Sequence, residues 1–208
     1  MTDDEQITAT WELAWTVTLA GPGVRLEPLS LAHTDDLAAA VRDGELWKLW
    51  YTNIPEPDGT AAEIARRLGL RDRRSMIPFA IVDPRSGAAV GMTTYMNVEA
   101  GARRLEIGST WYRASVQRTA INTESKLLLL THAFDALGCI AVEFRTSSFN
   151  FRSRRAIERL GAKLDGILRC HTRHANGVLR DTYVYSIVAA EWPTVRAHLQ
   201  HLLRRESD

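Results

Sequence analysis

Residues 111–126 read Trp-Tyr-Arg-Ala-Ser-Val-Gln-Arg-Thr-Ala-Ile-Asn-Thr-Glu-Ser-Lys, and four leucines follow directly. The run Leu105–Tyr112 is rich in β-branched and aromatic residues, which is typical of a strand. Ile121 to Leu137 contains neither Gly nor Pro and is dominated by good helix formers. The stretch therefore predicts a strand, a short polar turn and a helix whose first backbone N–H groups have no partner within the helix. Such a helix start favours an anion, most often a phosphate.

The predicted elements around this stretch follow one another without an internal repeat or a low-complexity linker. Strands are indicated by β-branched and alternating residues, and helices by apolar residues that recur every three or four positions. In chain order they are strand 17–29 with a turn or bulge at 21–23, helices 30–41 and 60–68, strands 77–82, 88–97 and 103–112, helix 121–137, strand 140–146, helix 151–160, strands 163–171 and 178–188, and helix 191–205. This order indicates a mixed α/β domain.

The composition is that of an ordinary soluble globular protein, with 45% hydrophobic residues and a formal net charge of +1 over 208 residues. This near-neutral charge argues against a dedicated nucleic-acid binder. Cys139 and Cys170 are too few for a disulfide framework and lack the spacing of metal ligands, so no metal is expected. Because no long apolar stretch follows the acidic start, we expect no membrane span and a cytoplasmic protein. Residues 1–16 are interpreted as an N-terminal leader and residues 17–208 as a single domain.

A second polar motif opens the helix that follows the next strand. Asn150 and Ser153 stand there in the register Asn-x-x-Ser-x-Arg-x-x-Glu-x-Leu-Gly. Adjacent strands in such a unit bring both helix N-termini to the same edge of the sheet, where α/β proteins usually bind ligands.

With these motifs the chain resembles the GNAT-fold N-acetyltransferases, and within them the ribosomal-protein alanine acetyltransferase (RimJ/RimL-like) branch. In that family the acetyl-CoA pyrophosphate lies on a Gln/Arg-x-x-Gly-x-Gly/Ala turn. Residues 117–122 match the first position of this turn, but Ala120 and Asn122 replace its small positions. Asn150 and Ser153 match the family's Asn-x-x-Ser motif, and residues 106–108 match its Glu-Ile-Gly strand. The resemblance covers about residues 24–190.

The resemblance implies an α/β (α+β) GNAT fold. Its central sheet would be mixed and mostly antiparallel, with about six to seven strands flanked by helices. Two central parallel strands of that fold splay apart at a bulge and admit the pantetheine arm of acetyl-CoA. Residues 108–110 are the candidate bulge.

The same resemblance implies acetyl-CoA as the co-substrate. The residues predicted to bind it are Gln117, Arg118, Thr119, Ala120, Ile121, Asn122, Thr123, Asn150 and Arg155. Backbone amides of the turn would hold the pyrophosphate, and Arg118 would add a charged contact. For Arg152, Arg154 and Arg155 a solvated helix face is equally compatible with the pattern, and Asn150 is also a good helix cap.

The predicted catalytic residues are Glu106 and Ser153. Glu106 would act as the general base, directly or through a water, and its structural alternative is a hydrogen bond or an ion pair with Arg103 or Arg104. Many GNAT enzymes place a tyrosine acid seven residues after the helix-start Asn, but here that position is Ile157. Ser153 would instead hydrogen-bond the sulfur and stabilise the departing thiolate.

The acceptor pocket is expected across the sheet from the cofactor, near the final hairpin. Its predicted residues are Trp47, Trp50, Tyr51, Tyr95 and Trp111, although each aromatic is individually compatible with a core position. His132 and Asp135 are interpreted as solvated on a helix surface, and His171, Arg173 and His174 as an exposed loop.

The leading interpretation is an N-acetyltransferase that moves an acetyl group to a primary amine by direct attack in a ternary complex. The acceptor is a protein N-terminus or a small amine, which the sequence does not separate. The alternative is a non-catalytic acyl-CoA-binding or interaction module on the same fold, which the Ala120 and Asn122 departures keep open. Neither nucleic acid nor membrane is expected as a partner, and a homodimer is plausible.

Overall fold

The computed structural model describes residues 11–205, which form one mixed sheet with helices on both faces. The strands are β1 (Leu19–Ala20), β2 (Arg25–Pro28), β3 (Met76–Val82), β4 (Ala89–Glu99), β5 (Arg104–Tyr112), β6 (Ala141–Ser147), β7 (Lys163–Arg173) and β8 (Leu179–Val188). The helices are α1 (Thr34–Arg42), α2 (Thr60–Asp72), α3 (Ala120–Thr131), α4 (Phe151–Arg159) and α5 (Trp192–Arg205). The α/β class and the mixed, mostly antiparallel sheet are confirmed, with eight strands in the described residues rather than six to seven.

The additional strand arises because residues 21–23 divide the first predicted strand into β1 and β2. Gly21 and Gly23 approach Glu124 of α3 so closely that an added Cβ would lie 2.2 and 2.7 Å from its carboxylate oxygens. The backbone N–H of Gly23 donates to both of these oxygens, at 3.0 and 3.1 Å. The buried Glu124 thus fixes the turn against α3.

The sheet order is β1-β2-β3-β4-β5-β6-β8-β7, and β5–β6 is the parallel pair in this order. These two strands pair only from Arg104↔Ala141 to Glu106↔Glu143. Beyond Glu106, β5 continues along β4 to Tyr112, while β6 continues along β8 to Ser147. The predicted splay between two central parallel strands is therefore present, and it opens directly after Glu106.

A β-bulge lies at the start of this splay. Two steps on β4, from Met92 to Thr94, correspond to three steps on β5, from Trp111 to Gly108. Ser109 has a φ of 47°, which is in the left-handed region. The predicted bulge at residues 108–110 is confirmed, and it moves Thr110 to the face opposite Glu106 and Gly108.

Two apolar cores cover the two sheet faces. The first packs α3, α4 and α5 on one face, and Trp11 and Ala14 contribute to it. The second packs α1 and α2 on the other face, around Leu37 and Ile64. Residues 1–10 of the predicted leader lie outside the described residues, so the division at residue 16 stays a prediction. Within residues 11–205, no helix is long and apolar enough to cross a membrane.

Candidate active site

Glu106 lies at the point where β5 and β6 separate, and it is only 5% exposed. The side-chain amide of Asn97 donates to its Oε2 at 2.7 Å, and Nε of Arg145 lies 3.7 Å from the same oxygen. The pKa of Glu106 is raised to about 7, mainly by burial; Glu143 adds to the rise, while Arg145, Asn97 and Arg180 oppose it. A carboxylate with this pKa can exchange a proton near neutral pH, as a general base must.

Gly108 makes room for this carboxylate. Glu106 and Gly108 point to the same sheet face because they are two residues apart on β5. A Cβ added to Gly108 would lie 2.7 Å from Oε1 of Glu106 and 2.9 Å from Sδ of Met96. The Glu-x-Gly spacing therefore has a steric reason, since any larger residue at position 108 would displace the carboxylate.

A charged cleft adjoins Glu106 on the sheet. It is lined by Asn97, Glu99, Arg104, Leu105, Glu143 and Arg145, with a volume of about 390 Å³. Because Asn97 and Arg145 also contact Glu106, the carboxylate lies directly behind the cleft wall. The predicted alternative, an ion pair of Glu106 with Arg103 or Arg104, does not form; its cationic neighbour is Arg145.

The turn before α3 leaves helix amides available, as predicted. Gln117 uses its side-chain amide to donate to the carbonyl of Tyr112 at 2.9 Å, so it braces the turn. Thr119 is the N-cap of α3, and its hydroxyl donates to the carbonyl of Val116 at 2.7 Å. Arg118 is the left-handed residue of the turn, with a φ of 65°.

Ala120 and Asn122 lie inside α3, and neither has a positive φ. The absence of glycine at these two positions therefore causes no backbone strain, because the left-handed conformation falls on Arg118 instead. With Thr119 as the N-cap, the amide of Thr123 makes the first hydrogen bond of the helix, and the amides before it have no partner within the helix. The hydroxyl of Thr119 accepts a hydrogen bond from the amide of Ile121 at 3.4 Å, so the amides of Ala120 and Asn122 are the ones available to a ligand.

The start of α4 is capped by Asn150. Its Oδ1 accepts a hydrogen bond from the backbone N–H of Ser153 at 3.0 Å, which is the simple capping role. Because Oδ1 of Asn150 is engaged in the cap, a hydrogen bond to pantetheine would have to come from Nδ2 of the same side chain. Arg155 is exposed, whereas Arg154 stacks on the ring of Tyr183 at 3.9 Å and is thereby committed to the protein.

The predicted acceptor aromatics separate into two groups. Trp50 packs against Tyr51, Phe149 and His174, with ring centroids 5.2–5.7 Å apart. The segment between α1 and α2 therefore reaches both the loop before α4 and the β7–β8 hairpin. Trp47 is half-buried on the second core.

Tyr95 and Trp111 lie in the two cores. Tyr95 is fully buried beneath α3, where its hydroxyl donates to the carbonyl of Leu129 at 2.6 Å. Trp111 is 5% exposed in the core of α1 and α2. Their contact with an acceptor stays a prediction that this burial disfavours.

Two other interpretations of polar side chains are wrong. His174 is not exposed: it is 6% accessible and lies 3.4 Å from the hydroxyl of Ser147. His132 is half-buried and stacks on the ring of Tyr95. Asp135 is exposed, as predicted, and it also accepts a hydrogen bond from the indole of Trp192 at 2.9 Å.

Two buried cations lie beside the bulge, Arg67 of α2 and Lys126 of α3, and neither was predicted from the sequence as part of the site. Each falls on the apolar face of its helix: Arg67 is three residues after Ile64, and Lys126 precedes Leu129 and Leu130 by three and four residues. A charged residue on the apolar face of a helix is the feature of the sequence that could have pointed to them. Within residues 11–205, no group of three or more His, Cys, Asp or Glu side chains is placed to hold a metal ion.

These features, a parallel-strand splay with a bulge and a free helix start beside it, define an acetyltransferase fold. Residues 24–163, more than half of the chain, match the acetyltransferase (GNAT) domain. The chain therefore belongs to the GNAT acetyltransferase family.

Individual relatives agree with this assignment. Over 106 residues the chain is 30% identical to the Bacillus subtilis (strain 168) protein named "Putative ribosomal N-acetyltransferase YdaF". This match covers 51% of the chain and 57% of that relative, so the chain spans less than two thirds of its length. A crystal structure of a GCN5-related N-acetyltransferase from Brucella melitensis superposes with a TM-score of 0.78 at 31% identity, covering 90% of this chain and 85% of that one.

A protein of the predicted branch is also a structural neighbour. Mycobacterium smegmatis RimJ, solved in complex with CoA-disulfide, superposes with a TM-score of 0.77, covering 91% of this chain and 96% of that one. At 22% identity, this superposition shows that the two chains share a fold. The predicted resemblance to GNAT proteins with RimJ/RimL-like neighbours is thus confirmed.

Proposed function

We propose that the chain transfers an acetyl group from acetyl-CoA to a primary amine by direct attack in a ternary complex. The observation that carries this proposal is the buried carboxylate of Glu106, with a pKa of about 7, at the point where the parallel strands separate. A carboxylate with a pKa near neutrality can take up a proton under physiological conditions, as a general base requires.

The reaction requires a neutral amine. Glu106 takes a proton from the ammonium group, and the amine nitrogen then forms a bond to the thioester carbonyl carbon. The carbon–sulfur bond breaks, the electron pair leaves with the CoA sulfur, and the thiolate takes up the second proton that the nitrogen loses as the amide forms. The first proton passes from Glu106 to solvent. The amide product and CoA thiol account for all atoms.

The pKa of Glu106 favours an α-amino acceptor. A free α-amino group has a pKa near 8 and a lysine about 10.4. Transfer of a proton to a carboxylate with a pKa of about 7 is therefore uphill by only about one unit for the α-amine, but by more than three units for lysine. A protein or peptide N-terminus, or an amino acid, is the acceptor class that this site serves best.

The α3 N-terminus supports acetyl-CoA binding. The amides of Ala120 and Asn122 at the helix start, together with the exposed Arg118, suit a pyrophosphate. The pantetheine arm would enter through the splay beyond Glu106, and the side-chain nitrogen of Asn150 would donate a hydrogen bond to an amide carbonyl of that arm. Arg155 is the candidate for the adenosine phosphate.

Departure of the thiolate falls to Ser153 in this proposal. The position of the tyrosine acid in many relatives is occupied here by Ile157, which is buried and cannot donate a proton. The hydroxyl of Ser153, at the half-buried start of α4, would stabilise the sulfur by hydrogen bonding.

The alternative is a non-catalytic acyl-CoA-binding module. Titration calorimetry with acetyl-CoA, combined with thiol release over a panel of N-terminal peptides, amino acids and small amines, separates the two. We expect binding and release, with α-amines ahead of lysine-type amines. Binding without release on any amine would favour the module, and absence of binding would overturn both. The cytoplasmic location and the homodimer stay predictions of the sequence.

A further inference from the structure

The β5 bulge is placed where the proposed reaction occurs. Its central residue, Ser109, follows Glu106 by three positions and lies in the part of β5 that no longer pairs with β6. A bulge interrupts the strand ladder, so its backbone depends on other groups to keep its shape. Two buried cations, one on each side of the sheet, supply such contacts.

Arg67 reaches the bulge from α2. Its side chain is 2% exposed, and Nη1 donates to the hydroxyl of Thr94 at 2.8 Å and to the carbonyl of Ser109 at 3.4 Å. Nε of the same guanidinium donates to Glu63 at 2.7 Å, which neutralises its charge. A single planar group thus ties α2 to β4 and to the central residue of the bulge.

Lys126 reaches the bulge from α3 on the opposite face. Its Nζ donates to the hydroxyl of Thr110 at 3.0 Å and to that of Thr93 at 3.3 Å. Thr110 in turn donates to the carbonyl of Gly108 at 3.3 Å, so the contact extends through the bulge. No carboxylate of the described chain pairs with this ammonium group.

Stability alone does not explain these two residues. Buried charges are expensive, and apolar side chains of similar volume commonly replace them without loss of stability. Both cations nevertheless converge on residues 108–110, one from each helix layer. Lys126 also lies less than two turns from the amides of Ala120 and Asn122, so it joins the proposed pyrophosphate end of α3 to the bulge.

We propose that Arg67 and Lys126 are positioning residues that hold the β5 bulge from both faces and thereby align the acetyl thioester with the amine. The inference rests on the proposed acetyl transfer. Misplacement of reacting groups by about 1 Å can lower a rate by about 10²-fold, even when the altered residue does not touch them.

The test uses the full chain with methionine replacements. Arg67→Met and Lys126→Met should each lower kcat by about 10- to 100-fold. The KM for acetyl-CoA and the stoichiometry of acetyl-CoA binding should stay within about twofold, because the helix amides remain. Matched controls are Arg66→Met, which removes a partner of Glu63 on the exposed side of α2, and Lys163→Met on the surface. Both should leave kcat unchanged.

A double-mutant cycle separates positioning from folding. If Lys126 acts through Thr110, then Lys126→Met combined with Thr110→Val should reduce kcat no further than the larger single effect. The inference would be overturned if the wild type is active and both methionine variants have the same kcat as the wild type. So would kcat and binding stoichiometry that fall in parallel, because that pattern indicates unfolding. A wild type that binds acetyl-CoA but releases no thiol would instead refute the proposed function, and this inference with it.

Discussion

At the scale of single residues, the site depends on side chains whose neighbours are distant in sequence. Glu106 and Gly108 could be found from their motif, but the partners that set the pKa of Glu106 come from β4, β6 and β8. Arg67 bonds residues 27 and 42 positions away. Periodicity places Arg67 and Lys126 on apolar helix faces, but it contains no information on the distant residues that they bond, so their contacts with the bulge were not predicted. For the same reason, residue type alone did not distinguish Trp50 at the surface from Tyr95 in the core.

Replacement of Gly108 should damage catalysis more than stability. In Gly108→Ala the new Cβ meets Oε1 of Glu106 and Sδ of Met96, both ends of flexible side chains. We expect the carboxylate to rotate away and kcat/KM to fall by about 10- to 100-fold, with a loss of about 1–2 kcal/mol in the free energy of unfolding. Gly101→Ala, where an added Cβ meets nothing within 4 Å, is the control. Equal kinetics for the two variants would contradict the steric role of Gly108.

Removal of the Lys126 charge should stabilise the fold. Burial lowers the pKa of Lys126 from 10.5 to about 7, so between these values the unfolded chain holds a proton that the folded chain lacks. The contribution of this group to stability therefore rises with pH from about 7 to 10.5. Thr93 and Thr110 still bond each other at 2.8 Å without the lysine.

We thus expect Lys126→Met to raise the free energy of unfolding by roughly 1–3 kcal/mol at neutral pH. The gain over the wild type should shrink as the pH rises towards about 10.5, where the lysine of the unfolded chain also loses its proton. Urea unfolding of both proteins at the two pH values measures this difference. A methionine variant that is less stable at neutral pH would show that the hydrogen bonds of Lys126 outweigh its desolvation.

At the scale of elements, the sequence predicted nearly every helix and strand, because their apolar periods are regular. The exceptions have local causes. Gly21 and Gly23 divide the first strand because Glu124 of α3, about a hundred residues later, requires their space. The predicted helix 121–137 ends in a π-helical turn, His132–Ala136, before Gly138 adopts a φ of 63°. Neither the tertiary contact nor the change of helix type leaves a mark on the hydrophobic pattern.

Replacement of Arg118 in the turn before α3 distinguishes the role of its backbone conformation from the role of its charge. Glycine suits the left-handed φ of Arg118, so Arg118→Gly should leave the melting temperature unchanged or raise it slightly. The lost cation should weaken acetyl-CoA binding by about 3- to 10-fold, and less at high salt. Calorimetric titration at two salt concentrations provides the measurement. Unchanged affinity would indicate that the helix amides alone hold the pyrophosphate.

At the scale of the whole molecule, one edge of the sheet remains open. β7 is the terminal strand, and its Leu164, Ile167 and Leu168 are 40–49% exposed. If the predicted homodimer forms at this edge, Leu168→Glu should shift sedimentation equilibrium to the monomer. Leu31→Glu, at an exposed leucine far from β7 in the chain, should not. A wild type that sediments as a monomer would refute the predicted dimer.

The central claim is that Glu106 removes the proton from the acceptor amine, and the pH dependence of kcat/KM tests it most directly. Wild-type chain, Glu106→Gln and Glu99→Gln, a control that lines the adjoining cleft, should be compared from about pH 5 to about pH 9. The wild type and the control should gain activity through a pKa of about 7, as the carboxylate ionises. In Glu106→Gln, kcat/KM should fall by about 10²- to 10⁴-fold, and its rise with pH should be absent. If Glu106→Gln retains the rate and the pH profile of the wild type, Glu106 is not the base.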